Sequence, residues 1–167
     1  FRFELPDKLL LNSTIAIDSL PADGPAALIT LDGQNDTLRN THTGNNTSMF
    51  RILNARQLHL KNFYLEATNA SATSANIWLN NGEDIRISHV QIHNHIQSTG
   101  MRGIVVATNI SNPITGAVKN LLIDSNDIQA SNRAIIISGT ATVRNANVSI
   151  RQNRLMEGIQ VTTTDNV

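Results

Sequence analysis

The stretch "GEDIRISHVQIHNH", residues 82–95, sets His89, His93 and His95 beside Glu83 and Asp84. Imidazoles at this density suit two chemistries: ligation of a metal ion by neutral ring nitrogens and carboxylates, and proton transfer by a positioned acid or base. His93 and His95, two residues apart, share one side of a strand, and Asp84 or His89 could join them around an ion. No third ligand stands at a convincing spacing, and a bend at Asn94 would separate the pair. Neither a metal nor a cofactor is therefore expected. The acid–base reading draws in Tyr64, Glu66 and Asp127, whose relation to His93 depends on the elements that carry them.

Those elements repeat. Ile85, Ile87, Val90 and Ile92 alternate with polar residues, the period of strands rather than helices. "LHLKNFYLEA" from Leu58, "IRISHVQIHN" from Ile85, "LLIDSNDIQA" from Leu121 and "VSIRQNRLME" from Val148 share one pattern. A second motif interleaves with it: "FRILN" at Phe50, "IWLNN" at Ile77, "IVVAT" at Ile104, "IIISG" at Ile135 and "IQVTT" at Ile159. Both recur at about 27 residues, except where "TNISNPITGAVK", residues 108–119, lengthens one step. Upstream, "STIAIDS" and "AALITLDGQN" read as irregular earlier coils. Three short strands per repeat and no helical period predict an all-β parallel β-helix, a solenoid of about six coils. A single domain over 1–167 is expected, with 1–27 an irregular N-terminal segment or first coil and 28–167 regular coils.

Composition agrees. Asn, Ser and Thr are abundant and Glu and Lys few, which is poor helix-forming material. Lys+Arg and Asp+Glu balance at 13 each, so no electrostatic footprint for nucleic acid or an anionic membrane is present. No apolar run reaches the length of a membrane span. Cysteine is absent, which excludes disulfides and thiol chemistry. Seven N-x-[ST] sequons occur, and in a chain this rich in Asn, Ser and Thr they read as by-products of composition.

The coil text, "ITLDGQN", "LHLKNFYLEA" and "IRISHVQIHN" above all, resembles the right-handed parallel β-helix superfamily of pectate lyases, polysaccharide epimerases and phage tailspikes. The resemblance covers about residues 28–165. It implies a right-handed solenoid, contact with a polysaccharide or cell-surface glycan, and a place outside the cell or on a virion surface. The superfamily's paired-Asp glycosidase motif, its arginine-and-calcium-carboxylate set and its glycine–aspartate calcium repeat are not found here.

Stacked coils align side chains into columns. Leu60, Ile87, Ile123 and Ile150 are expected to stack inward, and Asn126 and Asn153 share a bend where one amide can bond the next. Outward, Arg51, Trp78, Val105, Ile136 and Gln160 form a column with an apolar centre. Either the 108–119 insertion or an N-terminal segment covers it, or it is an interface, between protomers or as an aromatic platform for sugar. A second column, Tyr64, Gln91, Asp127 and Arg154, runs beside Glu66, His93, Gln129 and Met156. Tyr64, Glu66, His93 and Asp127 thereby fall within a few rungs of one another. Glu66, His93 and Asp127 are the candidate catalytic set for proton abstraction beside a uronate carboxyl or for two carboxylates flanking a glycosidic bond; a plain solvated face is the other reading. The columns His59–Arg86–Leu122–Ser149 and Lys61–Ser88–Asp124–Arg151 read as ordinary surface.

Two function classes follow. One is a glycan-contacting structural or receptor-binding module of a tailspike, tail fibre or surface adhesin, forming a homotrimer. The other is a polysaccharide lyase or hydrolase. A filament subunit stacking coils end to end is a third. Because "GIQVTTTDNV" carries no cap and uncapped solenoid ends are an aggregation hazard, continuation past Val167 or a layer from another subunit is expected.

Overall fold

The computed structural model describes residues 8–11, 13–18, 28–41, 47–67, 74–94, 100–107, 117–130, 132–140, 142, 144–162 and 164–165. These residues form parallel strands and no helix. They wind as a β-solenoid with three walls. The first wall is a six-stranded sheet of Lys8–Leu11, Thr37–Asn40, Tyr64–Ala67, Gln91–Asn94, Asp127–Gln129 and Arg154–Leu155. The second and third walls belong to one sheet, because Ser48–Lys61 and Ser74–Ser88 each run unbroken through the corner between them. Two of the expected pairs of short strands are therefore single bent strands. The ladder survives the bend because Ala55 stays paired with Gly82 and Arg56 with Glu83.

Four coils, starting at Thr37, Tyr64, Gln91 and Asp127, are sandwiched between neighbours on both sides. The first, with strands at Lys8, Ile15 and Ile29, and the last, with strands at Arg154, Ile159 and Thr164, stack on one side only. The solenoid thus has about four full turns rather than about six regular coils. The difference lies in the end layers, where Leu28 and Met156 are each 57% exposed. Residues past Asp165 lie outside the described ones, and with them the expectation about Val167.

Inside, the expected register holds. Leu60 pairs with Ile87, Ile87 with Ile123 and Ile123 with Ile150. The first three are fully buried, and Ile150, in the last coil but one, is partly so. Full burial of each such side chain contributes roughly 1.5–3 kcal/mol. Ile85, Ile87, Val90 and Ile92 all point into this core. One boundary shifts: Val118 and Lys119, assigned above to the insertion, begin the strand Val118–Asp124 and pair with Gly82 and Glu83. Residues 108–116 lie outside the described ones.

The corners explain the composition. Twelve non-glycine residues have positive φ, between 51° and 69°, and no described glycine does. They recur once per coil: Asn62, His89, Ser125 and Gln152 between the third and first walls, and Gln57, Asp84, Asn120 and Asn147 where the third wall begins. Asn and Asp tolerate this left-handed region better than other side chains. Their amides then bond along the stack: Asn81 donates to Asn54 at 2.7 Å, Asn120 to Asp84 at 2.7 Å and Asn147 to Asn120 at 3.0 Å. The first turn needs glycine for another reason. A Cβ on Gly33 would sit 2.3 Å from the Phe63 ring.

Asn126 is the buried member of these ladders, 2% exposed. Its Oδ1 accepts from the Val90 N–H at 2.9 Å, and its Nδ2 donates to the Ile87 carbonyl at 3.1 Å and to Asn153 Oδ1 at 2.9 Å. Asn126→Ala strands these backbone groups away from water, at about 1–3 kcal/mol apiece. Urea unfolding is expected to report a loss of about 2–6 kcal/mol by the same accounting; a loss under about 0.5 kcal/mol, the scale of a neutral surface change, would contradict it.

Candidate functional site

The corner between the third and first walls is a two-residue turn in each inner coil. Its second residue points inward: Phe63, Val90 and Asn126 are all buried. Its first residue, Asn62, His89 or Ser125, turns with positive φ and faces out. Together with Gln91, Asp127 and Arg154 on the first wall, these outward groups line a shallow groove of about 450 Å³ that crosses the coils. Gln91, Asp127 and Arg154 are in register on adjacent rungs, as the sequence columns require. Arg154 Nη1 lies 3.5 Å from Asp127 Oδ2, while Asp127 Oδ1 is buried with no hydrogen-bond partner.

Glu66 and His93 pair across neighbouring strands, one step from this groove. Glu66 is only 7% exposed, and its carboxylate forms an ion pair with Arg39 on the preceding rung. That contact raises the Arg39 pKa above its usual value. The Tyr64 ring lies tilted against His93, with centroids 5.0 Å apart. Burial, and then the Glu66 charge, push the Tyr64 hydroxyl pKa up. His93 Nε2 is buried without a hydrogen-bond partner. Glu66 and Asp127 stand on strands two rungs apart, about 9.6 Å of sheet at ~4.8 Å per rung, and two residues out of register along the wall. Tyr64, Glu66 and His93 are brought together, and Asp127 belongs to the groove.

The apolar outward column has a different setting. Arg51, Trp78, Val105, Ile136 and Gln160 are aligned in register. Val105 and Ile136 are 0% and 2% exposed and form a second cluster with Ala75 and Ala107, against which Trp78 packs. The Trp78 indole N–H donates to the Ala107 carbonyl at 2.7 Å. Val105 and Ile136 present no surface to a ligand or a second chain.

The columns read as ordinary surface hold buried polar contacts. Ser88 and Asp124 are 1% and 5% exposed despite facing outward. Asp124 is held between Arg86 at 3.4 Å and Arg151 at 3.3 Å, and Lys61 bonds Asp32 at 2.9 Å. The alternating signs of Asp32, Lys61, Asp124 and Arg151 were the available signal. Asn62 donates to Asp32 at 2.9 Å, and that bond, with Lys61 and the Gln34 N–H, holds Asp32 down to about 2. Asp32 therefore stabilises the fold above pH 3.8, an effect lost as pH falls toward 2. The groove residues Asn62, Ser125 and Gln152 were not among the candidates, and His89 was weighed only as a metal ligand. Their signal is positional: each follows a third-wall strand by one residue.

Among the described residues no cluster of three or more His, Cys, Asp or Glu could hold a metal ion, and His95 lies outside them. No helix of the described residues is long and apolar enough to cross a membrane. No protein-family model, curated protein or solved structure matches this chain.

His59 offers a titration test. Its Nε2 lies 2.7 Å from Ser88 Oγ. Burial first, then the cationic Arg86 and Lys61, push its pKa below the usual 6.5, with Asp32 opposing. The unfolded chain then binds the proton more tightly, so stability falls as pH drops through 6.5 toward the lower folded value. NMR titration is expected to place His59 below 6.5, and His59→Gln to flatten the stability change over that window. A midpoint above 6.5 contradicts this.

Proposed function

We propose that this chain is a glycan-contacting β-solenoid module of a tailspike, tail fibre or surface adhesin, working outside the cell or on a virion surface. The corner groove is its contact surface. The supporting observation is the groove's chemistry: amides, a hydroxyl, an imidazole and one Asp–Arg pair, carried at equivalent positions of successive coils. Rungs ~4.8 Å apart present these donors and acceptors as a regular array, the form in which a sugar chain presents its hydroxyls. Amides supply donor and acceptor together, so they suit groups that are both. Solenoids commonly use such extended faces for binding. Tyr64, one rung from Gln91, borders the groove. The resemblance of the coil text to the tailspike and pectate-lyase superfamily points the same way.

Contact without turnover is favoured over lyase or hydrolase chemistry. Flanking carboxyls of a glycosidase stand about 5–9.5 Å apart, whereas here Glu66 is engaged by Arg39 and Asp127 lies two rungs on. Titration calorimetry against a panel of bacterial and plant oligosaccharides is expected to find at least one ligand. Gln91→Ala and Arg154→Ala should each weaken it about 5–20-fold, the scale of one or two lost hydrogen bonds. Absence of any ligand, or binding unmoved by both variants, sinks the proposal. Release of reducing ends or unsaturated uronates, abolished by Glu66→Gln, establishes the enzyme instead. Light scattering and electron microscopy separate a homotrimer from an end-to-end filament.

A further inference from the structure

Asn81–Gly82 falls at the corner between the second and third walls, inside the unbroken strand Ser74–Ser88. Asparagine followed by glycine is the step most prone to succinimide formation, because no Cβ shields the glycine nitrogen. As hydroxide removes its proton, that nitrogen attacks the asparagine Cγ. The N–Cγ bond forms, the Cγ–Nδ2 bond breaks, and ammonia leaves with a proton from water. Water then opens the ring to aspartate or isoaspartate. In isoaspartate the main chain runs through Cβ and Cγ and is one atom longer. At this corner such a change would push along the third wall, where Ile85 and Ile87 pair with Leu58 and Leu60, and inward facing depends on that register.

Both reacting groups are already engaged. The Gly82 N–H donates to the Ala117 carbonyl at 3.0 Å, and Asn81 Nδ2 donates to Asn54 Oδ1 at 2.7 Å. Asn54 is anchored in turn, its Nδ2 lying 3.4 Å from Asp18 Oδ1. Attack requires the nitrogen to leave Ala117 and the side chain to leave Asn54. Solvent access is no barrier, since Asn81 is exposed. The other Asx–Gly step among the described residues is tied in the same way. Gly33 N–H donates to the Lys61 carbonyl at 2.9 Å, and the Asp32 carboxylate is held by Lys61 and Asn62, each at 2.9 Å.

We infer that Asn81–Gly82 is a latent deamidation site that the amide ladder keeps closed, so that the chain is modified there only when this corner opens. Once Asn81 has become aspartate it has no N–H to return to Asn54, and the opened corner stays weakened. Nothing in this depends on what the groove binds.

The test is incubation of the full chain in mildly alkaline buffer, folded and in urea, with peptide mapping by mass spectrometry for aspartate and isoaspartate at position 81. The folded chain is expected to convert at least about tenfold more slowly than the unfolded one, because reaction waits on local opening. Asn54→Gly removes the acceptor and tolerates the positive φ of 51°. It is expected to speed conversion of the folded chain about threefold or more, to speed hydrogen exchange at the Gly82 amide alongside, and to leave the rate in urea unchanged. Folded and unfolded rates within about twofold of each other overturn the inference, as does a folded Asn54→Gly chain that converts no faster than wild type. If circular dichroism shows that Asn54→Gly does not fold, the wild type in sub-denaturing urea decides. Conversion and Gly82 exchange rising together support the closed site, and exchange rising without conversion overturns it.

Discussion

The first and third walls of this solenoid are each entered by the backbone turning through positive φ at the same place in each coil. An L-residue there suffers a steric cost of about 1–2 kcal/mol, and the chain meets it repeatedly, with asparagine in six of twelve cases. The conformation is not optional. A corner displaced by one residue would send the next wall's inward side chains outward, so Ile87 could no longer lie between Leu60 and Ile123. The side chains that make the turn tolerable also join the coils, since an amide on one rung reaches the amide or carboxylate on the next. At Asn126, the residue after the positive-φ Ser125, such bonding between coils reaches the interior, where the side chain takes the place of a backbone partner for Val90.

Order at the corners is inherited by the surface. Because every coil turns alike, the groove is a stack of equivalent positions at one corner. It does not require a loop to be held in a special shape. The same stacking brings Asp124 between Arg86 and Arg151 and sets Tyr64 against His93. Function is read from those columns, and changing the residue at one rung alters the surface without altering the fold.

Periodicity made the register legible. The columns through Ile123, Trp78 and Asp127 were readable because strands alternate with period 2 and the repeat is close to constant. Burial on the outward face was less so. Val105, Ile136, Ser88 and Asp124 lie in outward columns yet are buried, because burial there depends on what packs over the wall, which alternation does not encode. Lys119 was misassigned because its strand opens with alternation too short to separate from the insertion before it. The corner residues escaped as candidate sites for a simple reason. Asparagine, serine and glutamine at turns read as punctuation, and only the stacked geometry makes them neighbours.

The most direct test of this account is native-state hydrogen exchange at three amides. Val90, Val118 and Asn126 donate their backbone N–H to the side chains of Asn126, Asn145 and Asn153, at 2.9, 3.0 and 2.9 Å. If the amide ladders hold the corners as firmly as backbone pairing holds the walls, these protons exchange as slowly as those of Ile87 and Ile123 and open only with global unfolding. Exchange at those corners on the timescale of exposed turns, with Ile87 and Ile123 still protected, would mean that the walls keep register without them.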